Sequence, residues 1–174
     1  MKIYFTAHAT TTDNEAGRSS GWNDAALSKL GKQQARALAG HLKNLRITAV
    51  YCSDLKRSYE TAKIAFGSTL PIIADQRLRE INYGDYNGKP KAEVDAIKLT
   101  HLRQPFPNGE SYEQAVARVQ AFYRKLKAQH PDATPLIIGH RATQFGLDML
   151  VQGKTLEACV IEKFIWQPYW EYEF

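Results

Sequence analysis

Apolar positions in this chain fall into short runs and helical stripes, separated by polar stretches that carry glycine. Ile3-Tyr4-Phe5, Ile47–Cys52, Pro71-Ile72-Ile73 and Pro135–Gly139 read as strands, the second being rich in strand formers. Behind Ser28, a candidate N-cap, Ala35, Leu38, Leu42 and Leu45 recur at helical spacing. A second helix is expected at about 55–66, capped by Ser53 or Asp54, and a third at 91–100. Ser111 opens a fourth to about 129 with Ala115, Val119, Phe122 and Leu126 on one face, and Arg141 opens a fifth to about 151. The aromatic tail from Val160 to Phe174 alternates in part and reads as two edge-type strand segments divided at Pro168. Strand and helix alternate from the start, which predicts an α/β fold with a largely parallel sheet and helices outside it. No repeat or linker interrupts the pattern, so one domain is expected over residues 1–174.

Two of the predicted strands end in the same way. Ile3-Tyr4-Phe5 leads through Thr6 and Ala7 into His8, and Leu136–Gly139 leads into His140. In open α/β sheets ligands bind at the carboxyl ends of the strands, so two parallel strands would deliver both histidines to one crevice. Residues 8–27 are small and polar, too long a loop to be idle, with Trp22 and Leu27 expected to pin it to the core.

Composition narrows the picture. Of 174 residues 44% are hydrophobic and 24% charged, a globular mix with enough chain for a proper core. No apolar run reaches the length of a membrane span and no signal peptide is visible, so a cytoplasmic protein with no membrane partner is expected. Cys52 and Cys159 make no disulfide framework and read as small buried residues. The net charge of +5 is compatible with anionic ligands. Its densest stretch, with Lys29, Lys32, Arg36, Lys43 and Arg46, reads as the solvated face of an amphipathic helix, and no nucleic-acid partner is predicted from it.

His8, Asn14, Arg57, Glu80 and His140 fall after strands or at helix starts. A nucleophilic imidazole, a cation, an amide donor and a carboxylic acid together suit phosphoryl transfer, since guanidinium matches the geometry of phosphate oxygens. Other chemistries fit less well. Cys52 and Arg57 have four residues between them, one short of a tyrosine-phosphatase loop. The histidines and aspartates show no compact metal-ligand spacing, and Gly84 to Gly88 lacks the lysine of a P-loop. His41, His101 and His130 read as surface residues.

A set of motifs then makes a resemblance specific. They are Ala7-His8-Ala9-Thr10-Thr11 with Asn14, Gly21-Trp22-Asn23-Asp24 with Leu27, Gly31 and Gln34-Ala35, and Ser53-Asp54-Leu55-Lys56-Arg57-Ser58 with Thr61-Ala62. Leu78-Arg79-Glu80 with Gly84 and Gly88, Gly109-Glu110-Ser111 with Arg118, and Ile138-Gly139-His140 follow in order. Over about residues 2–150 the chain resembles the histidine phosphatase superfamily, also called phosphoglycerate mutase-like. The resemblance implies a three-layer α/β/α sandwich and no metal or other cofactor. It casts His8 as the phosphate-accepting nucleophile and Glu80 as the acid that protonates the leaving oxygen. Arg57, Asn14 and His140 take the phosphate pocket; Ser20, Gly21 and Arg141 are further candidates for phosphate binding in this sequence. The expected activity is hydrolysis of a small phosphorylated metabolite through a phosphohistidine, without efficient mutase activity, because the stretch from Ile81 to Asn108 is short and lacks a pair of adjacent arginines. The motif departs from the family at three positions. Ala7 stands where the family has arginine, Ala9 where it has glycine, and Arg141 where glycine follows the second histidine. A phospho-ligand binding or sensing domain with little turnover is therefore the alternative. Arg141 is expected to reach the pocket and replace the charge missing at Ala7.

Overall fold

The computed structural model describes residues 1–174. Its five strands are β1 (Lys2–Ala7), β2 (Val50–Cys52), β3 (Ile72–Ala74), β4 (Leu136–Gly139) and β5 (Trp170–Glu173). Its helices are α1 (Thr12–Glu15), α2 (Lys29–His41), α3 (Lys56–Phe66), α4 (Lys91–Ile97), α5 (Tyr112–Gln129), α6 (Arg141–Gln152) and α7 (Leu156–Ile161), with short 3-10 turns at Gln76–Leu78, Gly84–Tyr86 and Lys98–His101. The sheet order is β3-β2-β4-β1-β5. Its first four strands run parallel, and β5 pairs antiparallel with β1 at the edge.

The period of two along a strand sorts the core into two layers. Tyr4, Val50, Cys52, Leu136 and Ile138 face one way and pack with Leu38 of α2 and Ala62 and Phe66 of α3. Ile3, Phe5 and Ile137 face the other way, onto Val119, Phe122 and Tyr123 of α5 and Leu147 of α6. A third cluster, with Ile81, Val94, Phe106, Tyr112, Phe145 and Cys159, joins α4 and α7 to the second layer. The result is the α/β/α sandwich expected. Both cysteines are buried and unpaired, and the basic residues of α2 lie on its exposed face.

Three local expectations change. Helix α3 has Leu55 as N-cap with no side-chain cap bond. Asp54 is engaged instead by Arg79 across 2.6 Å, and the Ser53 hydroxyl by His140. Residues 156–161 are the helix α7, capped by Thr155, and only 170–173 form a strand, so the tail holds one strand rather than two. Its alternation past Pro168 does match a one-sided edge, with Tyr172 buried between exposed Glu171 and Glu173. Trp22 lies 37% exposed, unlike buried Leu27, because its indole donates outward to the Glu80 carbonyl and carries the Arg79 guanidinium over its ring.

Candidate active site

Strands β1 and β4 are neighbours in register, with Ala7 opposite Gly139, and the His8 amide donates to the Gly139 carbonyl across 3.0 Å. After β1 the chain passes to helices on one face, whereas after β4 it turns into α6 on the other. The carboxyl ends of adjacent strands with oppositely placed helices form the crevice of an α/β sheet. A cleft of about 470 Å³ opens there, and Ala7, His8, Arg57, Glu80 and His140 line it. The two imidazoles stand 5.0 Å apart, centroid to centroid.

The contacts of His8 define its tautomer. Nδ1 lies 2.8 Å from the Ala9 carbonyl oxygen, which can only accept, so Nδ1 carries the proton. Arg57 Nε, which can only donate, lies 3.3 Å from Nε2, so Nε2 holds the lone pair. Burial of the ring, reinforced by the Arg57 charge, brings its pKa down to about 3. The ring is thus a neutral imidazole with its free nitrogen beside a guanidinium. The backbone around it is fixed from α3, since Ala9 N–H donates to Thr61 Oγ1, whose hydroxyl donates to the Arg57 carbonyl.

Arg57 is 2% exposed, at the start of α3. Its Nη1 donates to the Asn23 carbonyl at 3.0 Å and its Nη2 to the Gly21 carbonyl at 2.7 Å, so one side chain holds the 20–23 loop against the nucleophile. Gly21 meets this geometry with a left-handed backbone, φ +52°, on a face where a Cβ would run into the Asn87 side chain.

His140 is buried and its Nε2 lies 2.6 Å from the Ser53 hydroxyl, while no protein group pairs with its Nδ1. Burial and then the Arg57 charge hold its pKa well below the ordinary histidine value, so it too is neutral. Glu80 caps α6, its carboxylate accepting from the amides of Arg141, Ala142 and Ile81 at 3.2, 3.1 and 2.9 Å. A carboxylate is favoured at a helix N-terminus. Arg118 holds the segment that presents it, donating to the carbonyls of Arg77, Arg79 and Glu80 while paired with Glu110.

The remaining expected residues are placed with differing fortunes. Asn14 lines the cleft from α1, its Oδ1 accepting from the Thr11 amide while Nδ2 makes no hydrogen bond within the protein. Ser20 lines the cleft too, with its hydroxyl donated to Asp13, and Gly21 contributes the carbonyl held by Arg57. Arg141 also lines the cleft, yet its guanidinium is turned to other partners. It donates to Gln144 Oε1 at 2.6 Å and to the carbonyls of Glu162 and Cys159 at 3.1 and 3.4 Å, and it lies over the rings of Phe145 and Phe164. In this structure the guanidinium is thus held by Gln144 and by two backbone carbonyls, and the expected replacement of the charge missing at Ala7 is not made. The anion at the N-terminus of α6 is Glu80, and the cation finds the last carbonyls of α7, where positive charge is favoured. Ser53, Arg118 as a holder of Glu80, and the tail aromatics Phe164 and Trp166 were not foreseen here. Ser53 and Arg118 stand in the matching motifs, whereas Phe164 and Trp166 lie in the tail, outside every motif.

The chain matches the histidine phosphatase superfamily (branch 1) over residues 3–157. It belongs to this family. It is 32% identical over 149 residues to phosphoserine phosphatase 1 of Hydrogenobacter thermophilus, covering 80% of this chain and 71% of that protein. Its structure superposes on Bacillus stearothermophilus YhfR with a TM-score of 0.85 at 28% identity, over 99% of this chain and 90% of the other. A mycobacterial glucosyl-3-phosphoglycerate phosphatase complexed with VO3 matches with a TM-score of 0.81 at 26% identity, over 98% and 91% of the two chains. Family and relatives together support a histidine-phosphatase-type enzyme. No helix is long and apolar enough to cross a membrane.

Proposed function

We propose that this chain hydrolyses phosphomonoesters through a phosphohistidine formed on Nε2 of His8. The observation that carries the reading is the tautomer: Nδ1–H is tied to the Ala9 carbonyl and the Nε2 lone pair faces the cleft beside Arg57. In the first step Nε2 attacks phosphorus, an N–P bond forms and the ester P–O bond breaks. The departing alkoxide takes its proton through Glu80, which lines the cleft. In the second step the Glu80 carboxylate takes a proton from water, the water oxygen bonds phosphorus, and the N–P pair returns to His8. Arg57, the Nδ2 group of Asn14 and the unpaired Nδ1 of His140 supply donors for the phosphoryl oxygens. Backbone and side chain suffice for each of these roles, so no metal or other cofactor is included.

Rapid quench with a labelled phosphoester tests it. Acid-labile label on the wild-type protein and none on His8→Ala is the expected result, and full turnover by His8→Ala overturns the mechanism.

A second reading, a phospho-ligand sensor with little turnover, is favoured by one observation. Strand β1 delivers Ala7 to the cleft where the family places a cation, and the Arg141 guanidinium is engaged elsewhere. Calorimetric binding of phosphate esters without release of phosphate would select this reading over hydrolysis.

A further inference from the structure

The cleft has a wall that the phosphoryl chemistry does not use. Phe164 and Trp166, from the segment after α7, line it although they are 42% and 57% exposed. Large aromatic side chains left in water at the mouth of a cleft are an unspent binding surface. Phe164 is backed by the Trp170 ring at 5.7 Å and by the Arg141 guanidinium at 5.3 Å. Trp166 makes no ring contact of its own within the chain. Arg141 ties this segment down by bridging the carbonyls of Cys159 and Glu162 and by lying between the Phe145 and Phe164 rings.

The cleft's other outlying cations are already committed. Arg18 donates to the Gly88 carbonyl, and Lys91 pairs with Asp95. Phe164 and Trp166 are the large apolar side chains of the lining that stand exposed.

Resting on the hydrolase reading above, we propose that Phe164 and Trp166 form a leaving-group subsite for phosphomonoesters whose alcohol carries a planar apolar group. Arg141 is the positioning residue that holds the subsite against the catalytic cleft. Its role is thus specificity, in place of the phosphate clamp suggested by its place in the motif.

The test uses two phosphonates, 2-phenylethylphosphonate and ethylphosphonate, with binding followed by calorimetry. Neither has an ester bond to hydrolyse, so the reading of the subsite is separate from turnover. The wild-type protein should bind the phenyl compound about 10-fold tighter, the scale of one aromatic contact together with its area. Trp166→Ala should reduce that ratio to about threefold or less, and Arg141→Ala, which releases the segment, should reduce it as well. Ile165→Ala, a change at a neighbour that is 80% exposed and outside the cleft lining, should keep the ratio. A wild-type ratio near one, no binding of either compound, or an unchanged ratio in Trp166→Ala overturns the subsite. An unchanged ratio in Arg141→Ala overturns the positioning role. If the ratio behaves as expected while 2-phenylethyl phosphate is not hydrolysed, the subsite stands and the hydrolase reading falls.

Discussion

The guanidinium of Arg57 donates from Nε to Nε2 of His8 across 3.3 Å, so a buried cation and an uncharged imidazole share one contact at the floor of the cleft. The same guanidinium binds the Gly21 and Asn23 carbonyls. Lysine is a point charge and cannot span three acceptors in one plane. Arg57→Lys should lower kcat/KM for a phosphoester by about 100- to 1000-fold, the scale of one lost electrostatic donor. Steady-state kinetics check this, and wild-type kcat/KM in Arg57→Lys would refute the role given to the fork.

The pKa of His8 sets a pH dependence of stability. It is about 3 in the folded protein against an ordinary 6.5, so between these values the unfolded chain binds the proton and the folded chain does not. Stability from this group is then complete above about pH 6.5 and is lost as the pH falls towards about 3. At pH 5.5 the loss is about 1.4 kcal/mol for one such histidine. Urea unfolding at pH 7.5 and 5.5 should show a smaller drop for His8→Asn than for wild type. Equal drops would contradict a neutral imidazole at His8.

Restoring the family arginine supplies a test of the altered motif. Ala7 is half-buried at the end of β1, on the cleft lining with His8 and Arg57. A second guanidinium there repels Arg57 in the empty site and attracts an oxyanion. Ala7→Arg should lower the melting temperature without ligand and tighten vanadate inhibition by about 10-fold or more. Unchanged vanadate affinity would show that the strand end does not aim a side chain at the phosphoryl site.

Gly21 has little freedom to change. Its φ of +52° disfavours any side chain, and an added Cβ would meet Asn87, whose Oδ1 accepts from the amides of Trp22 and Tyr83. Gly21→Ala should cost about 1–3 kcal/mol of stability. It should also reduce activity, because the displaced carbonyl is an acceptor of Arg57. Denaturant unfolding and steady-state kinetics together check this, and a variant with wild-type values in both would refute it.

The local periodicities alone determined the α/β class, the parallel core and helices α2, α5 and α6, because apolar spacing and caps such as Ser28 and Ser111 are written within a few residues of each other. The motifs likewise located His8, Arg57, Glu80 and His140 at strand ends and helix starts. Side-chain direction was another matter. Which nitrogen of His8 is free depends on Ala9 and on Arg57, a residue 49 positions away. Ser53 meets His140 across 87 positions, and Arg118 holds the Glu80 segment across 38. Arg141 shows the limit most plainly. Its position beside His140 pointed to the phosphate, but its donors go to Gln144 and to carbonyls of Cys159 and Glu162, up to 21 residues on. A helix start specifies where a backbone amide points, whereas a long guanidinium goes where packing brings acceptors and rings together. Only the tertiary structure decides that.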